Sequence, residues 1–169
     1  MMCPGPWRPP GAIWRKGHSV GGQDRLMLRI PARPEALALV RCVVTQMAED
    51  AGLSEEEVGK VEIAVDEACT NILEHGYRGR EVKRPEIELQ VSRDDDALRV
   101  RIFDRARPFD ITTYAVPALP DHWHDGHTRG VGIYLIRQCM DEIKYRRLQD
   151  DRNMLELVKY LARAPGETC

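Results

Sequence analysis

Glu67 and Asn71 stand four residues apart in the run from Val61 to Asn71. On a helix that spacing puts both side chains on one face, about one turn from each other. A carboxylate there can take a proton from a reacting group, and an amide oxygen beside it suits a hard cation. A second acid, Asp104, ends an alternating run and is followed by Arg105-Ala-Arg-Pro-Phe-Asp110. A carboxylate at a strand end, opening into a loop, is a common position for recognising a ligand. Third, Thr128-Arg129-Gly130-Val131-Gly132 opens an apolar stretch. Two glycines at a helix start let the backbone approach a ligand closely, and the free N–H groups with the positive dipole end favour a phosphate. Taken singly, each piece has a plainer reading: a solvated helix face, a solvated strand end and an ordinary turn.

Hydrophobic periodicity supplies the elements that must position these groups. Leu26, Leu28 and Ile30 alternate with Met27 and Arg29, which predicts a strand ended by Pro31. Pro34 suits the first turn of a helix carrying Leu37, Val40, Val44 and Met47 and ending near Gly52. Ser54 with Glu57 forms a capping-box pattern for a second helix. Along it Val58, Val61, Val65, Ala68 and Ile72 recur at helical spacing until Gly76. Glu67 and Asn71 fall to one side of that stripe, so the helix can pack on a sheet and still line a pocket rim.

Ile87, Leu89 and Val91, a turn at Asp94 to Asp96, then Leu98, Val100 and Ile102 predict a hairpin with one wet face. About 27 residues with Pro108, Pro117 and Pro120 follow, and a connection so long is functional or disordered. Gly130 to Met140 predicts a third helix, and strands at about 142–148 and 153–161 a second hairpin around Asp150 and Asp151. One apolar stripe per helix and one apolar face per strand predict an α+β chain: a two-layer α/β sandwich, with a mostly antiparallel five-stranded sheet and three helices on one face.

The chain has 169 residues, room for one ordinary domain, and its 43% hydrophobic and 31% charged residues exclude wholesale disorder. The first 22 residues hold four of the eleven prolines and five of the thirteen glycines, and read as part of a disordered tail over 1–23. A domain over 24–162 and a short tail over 163–169 complete the division. No run of signal-peptide or membrane-spanning length is present, which points to a cytoplasmic protein. Cys3, Cys42, Cys69, Cys139 and Cys169 are scattered and odd in number, which reads as free thiols.

The formal charge of −2 offers no basic surface for nucleic acid. The tail carries three basic residues and no acid, so 22 basic residues stand against 27 acidic ones elsewhere, a net −5. Arg99, Arg101, Lys144 and Arg146, if all face outward, form a basic strip on the open sheet face, opposed by Glu86 and Glu88, and a solvated mixed-charge face is the plainer reading. His122, His124 and His127 with Asp121 and Asp125 look like metal ligands, but a short loop cluster lacks distant ligands to close a tetrahedron, and a flexible lid is the better reading.

In this order and spacing, the three pieces resemble a known family. VEIAVDEACTNILEHGYRG is similar to the N box of the Bergerat-type (GHKL) ATPases and kinases, IFDRARPFD to their adenine-binding box, and TRGVGIYLIRQCMDEIKY to their glycine box. The pattern most resembles the anti-sigma factor serine/threonine kinases, over about Arg25 to Ala162. That resemblance implies the Bergerat ATP-binding fold, with ATP and Mg²⁺ as cofactors. Asn71 would ligate Mg²⁺, Glu67 would deprotonate or orient the acceptor hydroxyl, and Asp104 would accept a hydrogen bond from the adenine amino group. Gly130, Val131 and Gly132 would offer backbone amides to the phosphates, Arg129 would reach the γ-phosphate, and 111–129 would form a lid. The family's glycine in the DxG step is Ala106 here, which puts a methyl group by the adenine pocket, where it either fits or crowds the backbone. The implied partners are a sigma factor and a STAS-domain anti-anti-sigma protein, with homodimerisation an expectation of the resemblance and no direct contact with nucleic acid or membrane. A non-catalytic nucleotide-binding module of the same fold is the alternative. A sensor histidine kinase half is disfavoured, because the residues before the first strand do not supply a dimerising helical hairpin.

Overall fold

The structure is a computed structural model and describes residues 25–79, 82–115 and 130–162. Five strands form one antiparallel sheet: β1 (Arg25–Pro31), β2 (Glu86–Arg93), β3 (Ala97–Asp104), β4 (Glu142–Arg147) and β5 (Asn153–Tyr160), in the order β1-β2-β3-β5-β4. Three helices, α1 (Leu37–Asp50), α2 (Glu55–Asn71) and α3 (Val131–Cys139), pack against one another and onto the sheet.

The alternating residues explain why the helices cover one face. Ile30, Ile87, Leu89, Val91, Leu98, Val100, Ile102, Leu155 and Leu157 share a core with Val40 and Val44 of α1, Val61 and Val65 of α2, and Ile133 and Ile136 of α3. Residues one step out of phase face the other way. There Arg99 pairs with Asp94, Arg101 with Glu156, Lys144 with Glu142, and Glu88 with Arg29 and Arg152. The basic strip expected on this face is therefore balanced chiefly by Asp94, Glu142 and Glu156, and of the expected pair Glu86 and Glu88 only Glu88 takes up arginines.

Pro34 lies in a 3-10 turn, Pro34–Ala36, that leads into α1. Ser54 caps α2 as its spacing predicts: Glu57 N–H donates to Ser54 Oγ at 3.3 Å, and Ser54 N–H donates to Glu57 Oε2 at 2.9 Å. The helix ends differently from its pattern. After Asn71 it widens into a π-turn, Ile72–Gly76, before Gly76 stops it. At the far end of the layer, Lys159 is buried and donates to Asp141 Oδ1 at 3.1 Å and to the Cys139 carbonyl at 3.4 Å, which satisfies the C-terminus of α3 and ties it to β5.

Candidate functional site

Between the C-terminal half of α2, the end of β3, the segment from Ala106 to Ile111 and the β4–β5 hairpin lies a cavity of about 270 Å³. Asn71, His75, Asp104, Ala106, Phe109, Tyr145 and Asn153 are among its walls. Asp104 is 7% exposed, on the helix side of the sheet at the last position of β3. Its Oδ1 accepts from Asn153 Nδ2 and from the Ala106 N–H, both at 2.7 Å. Burial pushes the Asp104 carboxyl up from the ordinary aspartate range, and these two hydrogen bonds with the nearby Arg147 charge pull it back.

Ala106 settles how the departure from DxG is accommodated. Its methyl is buried against Gly76, where an added Cβ would lie 2.6 Å from Ala106 Cβ. Its backbone needs no glycine, since Asp151 is the one described non-glycine residue with positive φ. The Arg107 N–H donates to the Gly76 carbonyl at 3.0 Å, closing the contact between the end of α2 and the segment after β3. The methyl has thus moved into space that a glycine on the facing helix leaves open.

At the other end, Gly130 caps α3 with φ +95°, a left-handed conformation that favours glycine. No side chain caps this helix start among the described residues, so its first N–H groups point outward without a side-chain acceptor. Gly132 is bare for a second reason. A Cβ there would run into Glu67 Oε2 and come 3.6 Å from Asn71 Nδ2. The first turn of α3 therefore abuts the very pair on α2 that the sequence sets one turn apart.

Glu67 is half-buried, and its carboxyl is held above the usual glutamate range, first by burial and then by the Asp66 and Glu74 charges. Asn71 carries the one buried polar side-chain atom without a partner among the described residues, its Nδ2. A half-turn of the amide exchanges nitrogen and oxygen, so the side chain can offer oxygen to a hard cation. An orphaned amide and a glycine cradle are the features that a phosphate-bound Mg²⁺ would use, so the residues fit that group. Among the described residues no set of three or more His, Cys, Asp or Glu is placed to hold a metal by protein ligands alone. Arg129 and the His122 to His127 run lie outside the described residues.

The sequence reading missed Asn153, Tyr145 and Arg137. Asn153 lies directly opposite Asp104 across β3 and β5, and an Asn inside a strand was the available signal. Arg137 of α3 donates to the carbonyls of Ile111, Thr112 and Tyr114 and so holds the segment that follows the cavity wall. It followed from no local pattern.

The sequence profile of the histidine kinase-like ATPase domain matches residues 30–159. The chain is 30% identical over 128 residues to a serine-protein kinase RsbW of Bacillus pumilus, covering 72% of this chain and 77% of that protein. It is 32% identical over 142 residues to an RsbW of Listeria monocytogenes, covering 82% and 88%. Among solved structures, the RsbU and RsbW domains of Rv1364c from Mycobacterium tuberculosis superpose with a TM-score of 0.55 at 17% identity, over 83% of this chain. The chain spans 33% of the length of that solved chain, and the likeness is one of fold.

Proposed function

The chain belongs to the histidine kinase-like ATPase domain family, and from that premise we propose that it is an ATP-dependent serine/threonine-protein kinase acting as an anti-sigma factor. In this reading it phosphorylates a STAS-domain anti-anti-sigma protein and sequesters a sigma factor in the cytoplasm. Among the described residues no helix is long and apolar enough to cross a membrane. A single domain over 24–162, with tails over 1–23 and 163–169, carries the activity.

The observation that carries the reading is the meeting of Glu67 and Gly132 at Asn71, which lines a cavity that also presents Asp104. Asp104 binds the adenine amino group through an acceptor oxygen, and the apolar walls at Ile72, Phe109 and Leu155 take the base. Ala106 shapes the floor of that end. Gly130, Val131 and Gly132 turn backbone N–H groups toward the phosphates, with Arg129 as a further phosphate contact. Asn71 holds Mg²⁺, which when bound neutralises phosphate charge. That contribution matters in a domain with net charge −5, which has no general positive field for a polyanion.

Glu67 takes the proton of the acceptor hydroxyl as that oxygen bonds to the γ-phosphorus. The bond from phosphorus to the bridging oxygen breaks, and ADP leaves with the electron pair. A carboxylate held above the usual range is a better proton acceptor than an exposed glutamate. Adding a phosphate to the STAS protein weakens its hold on the kinase through charge at the interface, which frees the kinase to hold the sigma factor. The non-catalytic alternative rests on Ala106 and on a lid sparse in phosphate-binding residues; the Ala106 methyl fits against Gly76, and lid residues 116–129 lie outside the described residues.

The test is incubation of the full chain with Mg-ATP, labelled in the γ-phosphate, and a STAS-domain protein from the same organism. The native chain transfers label to serine or threonine. Glu67→Ala binds ATP but transfers at least about 100-fold more slowly, as loss of a general base does. Asn71→Ala loses Mg-dependent ATP binding as well. Full transfer by Glu67→Ala would rule out the base assignment, and absence of transfer by the native chain would favour the non-catalytic module.

A further inference from the structure

Asn153 is 3% exposed, and both ends of its amide are in use. Oδ1 accepts from Tyr145 Oη at 2.8 Å and from an Arg147 guanidinium nitrogen at 2.9 Å. Nδ2 donates to Asp104 Oδ1 at 2.7 Å and to the Ala106 carbonyl at 3.2 Å. The placement follows from strand register. Asn153 lies opposite Asp104 across one ladder and opposite Arg147 across the next, and Tyr145 is two residues from Arg147 on the same face of β4.

The chemistry of the partners leaves the amide one orientation. A guanidinium can only donate and a backbone carbonyl can only accept. Turning the amide over would set donor against donor at Arg147 and acceptor against acceptor at Ala106 and Asp104. Tyr145 and Arg147 thus reach Asp104 through Asn153 without touching it.

We infer that Tyr145 and Arg147 are positioning residues for base choice: by donating to Asn153 Oδ1 they commit its NH2 group to Asp104, which keeps Asp104 an acceptor and makes the cavity select a 6-amino purine over a 6-oxo purine. The inference rests on the nucleotide-binding reading above. With Oδ1 engaged by Asn153 and by the Ala106 N–H, Asp104 meets the base through Oδ2. An ionised carboxylate there accepts from an adenine amino group and opposes a 6-oxo group lone pair to lone pair. If the two donors on β4 are removed, Asn153 Oδ1 is left without them, the hold of its NH2 group on Asp104 Oδ1 loosens, and the Arg147 charge that favours the carboxylate is lost. A carboxyl that then gains a proton on Oδ2 presents an O–H donor to the base, which suits a 6-oxo purine instead.

The experiment measures binding of ATP and of inosine triphosphate, each with Mg²⁺, to the full chain by titration calorimetry. It compares the native chain, the double variant Tyr145→Phe with Arg147→Met, and Arg147→Lys. The native chain prefers ATP. In the double variant ATP affinity falls about ten-fold, the order of one hydrogen bond to a charged group, while affinity for inosine triphosphate holds or rises, so the preference narrows. Arg147→Lys keeps a donor and the native preference. Equal weakening of both nucleotides, the mark of a merely structural role, overturns the proposal, as does an unchanged preference. A native chain that binds neither nucleotide overturns the nucleotide reading itself. If the double variant does not fold, Tyr145→Phe alone, which deletes one hydroxyl, must narrow the preference for the proposal to stand.

Discussion

At the Asp104 end of the cavity, Asp104, Ala106, Asn153, Tyr145 and Arg147 bond one another in a connected chain, whereas at the Asn71 end, among the described residues, a buried amide nitrogen has no partner and α3 starts without a side-chain cap. A satisfied buried network fixes its geometry before any ligand arrives, because turning one member breaks bonds at its neighbours. Unsatisfied groups do the opposite. They carry a cost in the free protein that a ligand with the right donors and acceptors removes on binding. The base end is thus set for selection and the phosphate end for capture, and the two differ in what a substitution should do.

The most damaging change is expected where the open end is tightest. Gly132→Val puts a branched side chain where Glu67 Oε2 and the Asn71 amide already stand. Either Glu67 is displaced or α3 moves off α2, and a shift of about 1 Å at reacting groups costs on the order of 100-fold in rate. Phosphate transfer should fall by at least that factor while thermal unfolding changes little, since the position is half-buried and not in the core. A transfer rate within a few-fold of native would show that the first turn of α3 has freedom the close packing denies.

This contrast also sorts what could be read in the sequence. Glu67 with Asn71, and Gly130 with Gly132, are local patterns, since helical spacing and glycine at a helix start are short-range facts. Capping by Ser54 and Glu57 and the alternation in β2 and β3 are local in the same way, which is why those elements were legible. Asn153 was not, because its meaning comes from lying across a ladder from Asp104, 49 residues earlier. Gly76 was legible as a helix stop, but its second use, making room for the Ala106 methyl, needs two segments 30 residues apart to meet. The π-turn after Asn71 has no periodic signature of its own and is fixed by that same meeting, with the Arg107 N–H on the Gly76 carbonyl.

That meeting gives the next prediction, at the closed end. Gly76→Ala sets two methyl groups 2.6 Å apart in a buried contact. The overpacking should lower stability by about 1–3 kcal/mol, read from denaturant midpoints, and weaken ATP binding through the Ala106 carbonyl and Asp104. Ala106→Gly added to it removes the opposing methyl and should restore most of the loss. If the double variant is no better than Gly76→Ala alone, the steric pairing of these positions is wrong, and the end of α2 needs Gly76 for another reason.

The smallest expected effect separates the two acids. Both Glu67 and Asp104 sit above their ordinary ranges through burial, but Asp104 has hydrogen bonds that pull it back, while Glu67 is pushed further by Asp66 and Glu74. A general base works only when ionised, so transfer falls as pH drops through its raised pKa, by about ten-fold per unit below it. The acid limb of kcat/KM should therefore begin above the ordinary glutamate value of 4.5. Asp66→Asn removes one neighbouring negative charge and releases Arg41, its partner at 2.6 Å. Both changes favour the ionised carboxylate, so the limb should move to lower pH, by a small step because both side chains are partly exposed. ATP affinity should keep its own pH dependence in the same variant, because Asp66 is not among the groups that hold Asp104. A limb that stays in place when Asp66 is neutralised would assign the acid limb to the base-binding end, and the division of labour between the two ends would have to be redrawn.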